Sequence, residues 1–172
     1  MARSFRAVSA CCLLAVMMAG GLMTARADAV TGGVIRPGHG AAGVTLGMTR
    51  ADVVARLGRP SFENRLGFMQ YGSGGAMFDV YRASGRPTAR VRMLGISGPG
   101  FRLADGNRVF APAGLRRLRH RFGARLVRFR DEDGAPGYRL RGRLRGRRVV
   151  TDFFVDRFGA HGRVLDIFIY YR

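Results

Sequence analysis

Arg139, Arg141, Arg143, Arg145 and Arg147 stand at strict alternation, and they are the residues best arranged to do chemistry. In an extended strand all five share one face, while Tyr138, Leu140 and Leu144 take the other. Each guanidinium offers a planar fork of donors that matches phosphate or carboxylate. Same-face neighbours on a strand lie about 6.6 Å apart, close to the phosphate spacing of an extended polymer. Arg116, Arg117, Arg119 and Arg121 add a second basic cluster on an expected helix. The residues expected to hold an anion or a partner are therefore Arg139, Arg141, Arg143, Arg145, Arg116 and Arg119. The plainer account is a solvated sheet face, neutralised in part by Asp152, Asp156 and Asp166. All 30 basic residues are Arg and none is Lys, the bias a GC-rich genome produces. Against 11 acidic residues they give a net charge of +19, which favours anionic partners whatever its origin.

Other chemistry has little to stand on. His39, His120 and His161 fall on a leader, an Arg-rich helix and a turn, without ligand spacing or a Cys to complete a zinc site. Asp131-Glu132-Asp133-Gly134 lacks the alternating ligands and distal Glu of a calcium loop, and reads as a solvated turn. Asp152 and Asp156 would lie about 13 Å apart along one strand face, too far for a carboxylate dyad, so pairing with arginines is expected. There is no G-x-S-x-G, phosphate loop or H-E-x-x-H. No catalytic residue, metal or cofactor is expected. Phe62, Phe68, Tyr71, Phe78, Tyr81, Phe153, Phe154, Phe168 and Tyr170 lie mostly on expected strands. Alternation buries about half of them, and the others would form an aromatic, Arg-rich binding surface.

The elements that position these residues begin with the leader. Arg3 and Arg6 precede an apolar run from Ala7 to Met23, and Ala25-Arg26-Ala27 is an A-x-A cleavage signal. This reads as a secretory signal peptide over 1–27, too short and too rich in Ala and Gly for a stable span. Cleavage would take both cysteines, Cys11 and Cys12, with three arginines and no acid. The mature chain, strongly positive and without a disulfide, would hold together by packing alone. Residues 28–42, rich in Gly, read as a flexible leader.

The best-punctuated stretch is Gly43 to Pro60, GVTLGMTRADVVARLGRP. Thr49 and Asp52 have capping-box spacing; Val53, Val54 and Leu57 form an apolar stripe; Gly58 and Pro60 end the helix. Val109, Leu118, Phe122 and Gly123 repeat the spacing of Val44, Val53, Leu57 and Gly58. A second helix is expected over Pro112 to Arg121. Strands are expected over Phe62–Tyr71, Ala76–Tyr81, Val91–Ile96, Leu126–Arg130, Tyr138–Leu144, Val149–Val155 and Arg163–Tyr171, joined by short turns. The expected fold class is α+β, two tandem helix-plus-antiparallel-sheet repeats over 43–98 and 99–172.

GVTLGMTRADVVARLGRP resembles the G-h-x-h-G-M-[ST]-x-x-[DE]-V-x-x-x-h-G-x-P signature (h, apolar) of the SmpA/OmlA-like outer-membrane lipoproteins. The tandem arrangement is similar to that of the β-lactamase inhibitory protein family. The resemblance covers Gly43 to Pro60 closely and the remainder of the mature chain by pattern. It implies small extracytoplasmic α+β modules whose open sheet face binds protein. The chain departs from both families: it has no Cys placed for lipidation, and no disulfide is possible once Cys11 and Cys12 leave.

Together these features lead to an expected secreted or periplasmic, non-catalytic module that binds an extracytoplasmic protein through its sheet faces. The alternative is a binder of envelope polyanions or anionic lipid headgroups through the Arg strand. No specific nucleic acid partner and no transmembrane span in the mature chain are expected.

Overall fold

Glycine-rich as it is, the stretch 33–43 contains two short strands. A computed structural model describes residues 30–159 and 161–172. The expected signal peptide, cleavage after Ala27, Cys11 and Cys12 lie outside the described residues. Within the stretch expected to be a flexible leader, β1 (Gly33–Arg36) and β2 (Gly40–Ala41) form instead, and β3 (Val44–Thr45) follows. Ile35 and Ala41 are buried in the core, which offsets the ordering entropy of so many glycines.

Helix α1 (Arg50–Leu57) carries the expected capping box. The Thr49 hydroxyl accepts from the Asp52 backbone N–H at 3.3 Å, and the Asp52 carboxylate accepts from the Thr49 N–H at 2.8 Å. Gly58 ends the helix at φ 78, a conformation that a side chain disfavours. Strands β4 (Phe62–Glu63), β5 (Phe68–Ser73), β6 (Ala76–Arg82) and β7 (Val91–Ser97) follow as a meander, with a turn separating β4 from β5 inside the single strand expected over Phe62–Tyr71. After β8 (Phe101–Leu103) comes α2 (Gly114–Phe122), with Leu115 and Leu118 buried. A short 3₁₀ turn leads into β9 (Leu126–Arg130), β10 (Pro136–Leu144), β11 (Arg147–Val155) and β12 (Val164–Tyr171).

The two meanders join. Eight strands form one antiparallel sheet in the order β4-β5-β6-β7-β12-β11-β10-β9. A small four-stranded sheet, β3-β2-β1-β8, contains one parallel pair, β1 with β8. This overturns the expected α+β fold of two tandem helix-plus-sheet repeats over 43–98 and 99–172. The described chain is mostly β, its helices are two short ones, and the sheets expected to be separate are continuous. The physical reason lies at β7 and β12. Each would end its meander as an edge of unpaired N–H and C=O groups beside buried Leu94, Ile96, Ile167 and Ile169. Pairing Ile167 with Ile96 and Ile169 with Leu94 satisfies both ladders and removes two edges.

One face of the large sheet is covered. Tyr71, Phe78, Ile96, Ile167, Phe153 and Tyr138 line up across it and pack in one core with Val53 of α1, Leu115 and Leu118 of α2, and Ile35 and Leu103 of the small sheet. The Gly38 N–H donates to Thr151 Oγ1 at 2.7 Å, tying the β1–β2 turn down onto this face. Among the described residues no helix is long and apolar enough to cross a membrane.

Candidate functional site

The opposite face of the sheet is open, and alternation decides what it carries. One residue on from each core side chain lies Arg139, Asp152, Phe168, Gly95, Asp79 and Gln70, in register across six strands. The next open row is Arg141, Val150, Tyr170, Met93, Tyr81 and Phe68. Phe129 and Phe154 flank Gly137 at the far side, and a Cβ at Gly137 would collide with the Phe129 ring. Gly137 therefore lets that ring lie flat against the sheet. The rings form two clusters. Phe154 meets Phe129 and Phe168 edge-on at 5.5 and 5.7 Å between centroids. Phe68 contacts Tyr81 at 4.9 Å and Phe62 at 6.0 Å.

Polar groups between the rings are held in place. Asp152, only 3% exposed, accepts both arms of Arg139, Nε to Oδ1 and Nη2 to Oδ2, each at 2.7 Å. The Tyr170 hydroxyl donates to Asp152 Oδ2 at 2.8 Å, and the Arg139 guanidinium lies 4.4 Å from the Phe129 centroid. The hydrogen bond to Asp152 strengthens the hold of Arg139 on its proton. Burial, with the Asp152 bond second, pushes the Tyr170 hydroxyl up to about 12. Burial also raises Asp79 and Asp166 above the ordinary carboxylate value, partly offset at Asp79 by the Gln70 amide at 3.2 Å. The Arg139–Asp152–Tyr170 part of the face is thus pre-organised.

The six arginines expected to act together are split among three places. Arg139, Arg141 and Arg143 do share the open face, but Asp152 neutralises Arg139. Arg141 and Arg143 are exposed and make no ion pair among the described residues. Arg145 leaves the strand. With Gly146 it forms the two-residue turn of the β10–β11 hairpin, at φ 51 and 78, and it lines a cleft with Arg56 and Arg90. Arg147 returns on the covered side and stacks on Tyr171 at 4.1 Å. Arg116 and Arg119 lie on α2, across the sheet from the open face, in a cleft with His120, Arg128 and Tyr138. Asp152 pairs with Arg139, as expected; Asp156 accepts from the Arg163 N–H at 2.7 Å, with Arg157 3.9 Å away.

Sequence reasoning misses Phe129 and Arg148. Alternation read inward from Leu126 puts Phe129 on the open side, so its signal was present. Arg148 faces Arg143 through the register that the Arg145-Gly146 turn sets, which requires the turn to be known first. Among the described residues no three His, Cys, Asp or Glu side chains are placed to hold a metal ion.

No family model matches the chain, and neither a curated protein nor a solved structure matches it.

Proposed function

We propose that this protein is a secreted or periplasmic, non-catalytic module of the bacterial cell envelope that binds a partner protein through the open face of its large sheet. The observation that carries this reading is a whole sheet face left uncovered while it presents Phe68, Tyr81, Phe129, Phe154, Phe168 and Tyr170. Half-exposed aromatics around a fixed Arg are the composition of interface anchors. The Arg139–Asp152–Tyr170 network lowers the ordering cost of binding because it is already formed. The ends of the face differ in charge. Asp131, Glu132 and Asp133 rim one end. Arg141, Arg143 and Arg148 crowd the other, about 24 Å away by strand rise. A partner with the reverse polarity is favoured, and it would be oriented by these two rims. The compartment rests on Arg3, Arg6 and Ala25-Arg26-Ala27, and the resemblance at Gly43–Pro60 adds to it.

Cross-linking capture from an envelope fraction tests this. Wild-type chain and an Arg119→Gln control should retain the same partner, whereas Phe154→Asp with Phe168→Ser, folded by circular dichroism, should lose it. A partner held equally by the open-face variant would overturn the reading.

A second reading rests on Arg141 and Arg143, exposed and unpaired among the described residues beside Arg148. They would bind an envelope polyanion or anionic headgroups. Retention on an immobilised polyphosphate should then fall steeply with salt and be weakened by Arg141→Gln with Arg143→Gln. Unchanged retention of the double variant at low salt removes this reading.

A further inference from the structure

Helix α2 is built against its own electrostatics. Its first turn contains no acid, its N-cap residue Ala113 offers no side-chain hydrogen bond, and Arg116 and Arg117 sit near the positive end of the helix dipole. Arg116 and Arg119, three residues apart, are like charges on neighbouring positions of one surface. Neither belongs to an ion pair among the described residues, and nor does Arg128 on β9. All three line one cleft of about 410 Å³, together with His120 and Tyr138, and no acidic side chain contributes to it.

Tyr138 is the independent observation. It is 2% exposed, it lines this cleft, and its hydroxyl has no hydrogen-bond partner among the described residues. Buried hydroxyls are normally partnered, and one left alone on a side chain that lines a basic cleft calls for an acceptor. The ring is fixed by edge-on packing against Phe158 at 5.7 Å. Arg128 is fixed by the same ring, its guanidinium 5.5 Å from the centroid. Part of the cleft is therefore rigid before any ligand arrives.

We propose that this cleft is a binding site for a phosphate monoester group, held by Arg116, Arg119, His120 and Arg128 with the Tyr138 hydroxyl donating to it. Three guanidinia, an imidazole and a hydroxyl supply more donors than the two oxygens of a carboxylate can accept. A phosphate monoester brings three terminal oxygens and close to two negative charges, which matches both the donor number and the uncompensated charge. The site lies across the sheet from the open face, so it can be occupied while a protein is bound there.

The test uses the purified chain at low ionic strength, with inorganic phosphate as the first probe. Phosphate should shift the ring resonances of Tyr138 and His120 saturably and raise the melting temperature. Arg119→Gln should weaken phosphate roughly tenfold, the loss of one charge-assisted pair, while Arg65→Gln in the exposed β4–β5 turn leaves it within a factor of about two. Tyr138→Phe separates binding from folding. Without phosphate it should melt no lower than wild type, because the hydroxyl it removes is unpaired, and it should lose most of the phosphate-induced rise. Equal weakening by Arg119→Gln and Arg65→Gln, or a lower melting temperature of ligand-free Tyr138→Phe, overturns the proposal. A second arm offers phosphatidate vesicles against phosphatidylcholine vesicles. Arg119-dependent capture of the former identifies a lipid headgroup, response to inorganic phosphate alone identifies a soluble monoester, and no response in either arm rejects the site.

Discussion

Asp152 is the residue on which the open face turns. It is almost fully buried and accepts from Arg139 and Tyr170 at once. Removing it leaves a guanidinium that is three-quarters buried facing no anion. Asp152→Ala should therefore cost about 3 kcal/mol in urea unfolding, the lower end for a broken buried pair because Arg139 keeps some contact with water. A loss under about 1 kcal/mol would show that the pair carries surface weight only. Asp79 behaves oppositely. Burial raises its folded pKa above 3.8, so the folded chain binds that proton more tightly than the unfolded chain does. Its contribution to stability is present below 3.8 and is lost as pH rises through the raised value. At neutral pH the Asp79 carboxylate weighs against the fold, and Asp79→Asn should raise the melting temperature there. The gain should vanish below pH 3.8, where Asp79 itself is protonated. Glu63 has the reverse sign. The Arg50 hydrogen bond lowers its pKa from 4.5, so its contribution is present above that value and fades as pH falls through the folded one. A gain from Asp79→Asn that persists in acid would assign the effect to packing instead of charge.

At the scale of elements, burial sorts helix positions that share one sequence pattern. Val53 and Leu118 are fully buried, whereas Leu57 and Phe122 are only partly so and lie at the border of the core. Leu118→Ala should cost about 2–5 kcal/mol, and Leu57→Ala no more than about 2, since part of its surface is already wet. Denaturant midpoints compare them directly, and equal losses would contradict the burial. The same contrast explains what could be read from sequence. Thr49, Asp52 and Gly58 declare α1 because caps act within one turn of chain. Alternation along 76–81 declares β6 and separates buried Phe78 and Val80 from Met77, Asp79 and Tyr81. Alternation cannot name a strand's partner, because period two is the same for every neighbour. The β7–β12 pairing, and with it the single sheet, was therefore hidden. So was β1, four residues whose one buried anchor is Ile35 in a glycine-rich context. For the candidate site, the types and alternation of Arg139 to Arg143 were legible. The departure of Arg145 was not, since an Arg at φ 51 is an uncommon choice for that turn.

For the whole molecule, the joining of β7 to β12 makes a physical difference beyond topology. Were the chain two units with separate cores, each half would unfold with its own midpoint. Instead Phe78 on β6 and Phe153 on β11 lie on the same covered row, linked through Ile96 and Ile167, and a single core cluster contains them all. Opening β7 from β12 would expose Leu94, Ile96, Ile167 and Ile169 at once and strand two ladders of backbone groups. That cost is shared by both halves, so neither gains by unfolding first. Calorimetry should show one transition whose measured and van't Hoff enthalpies agree. Phe78→Ala and Phe153→Ala, in different halves, should each lower that one midpoint, by about 3–5 kcal/mol in stability, without splitting it. Two resolved transitions, or a midpoint that moves for one variant while a second stays fixed, would mean that the β7–β12 pairing does not bind the halves into one cooperative unit.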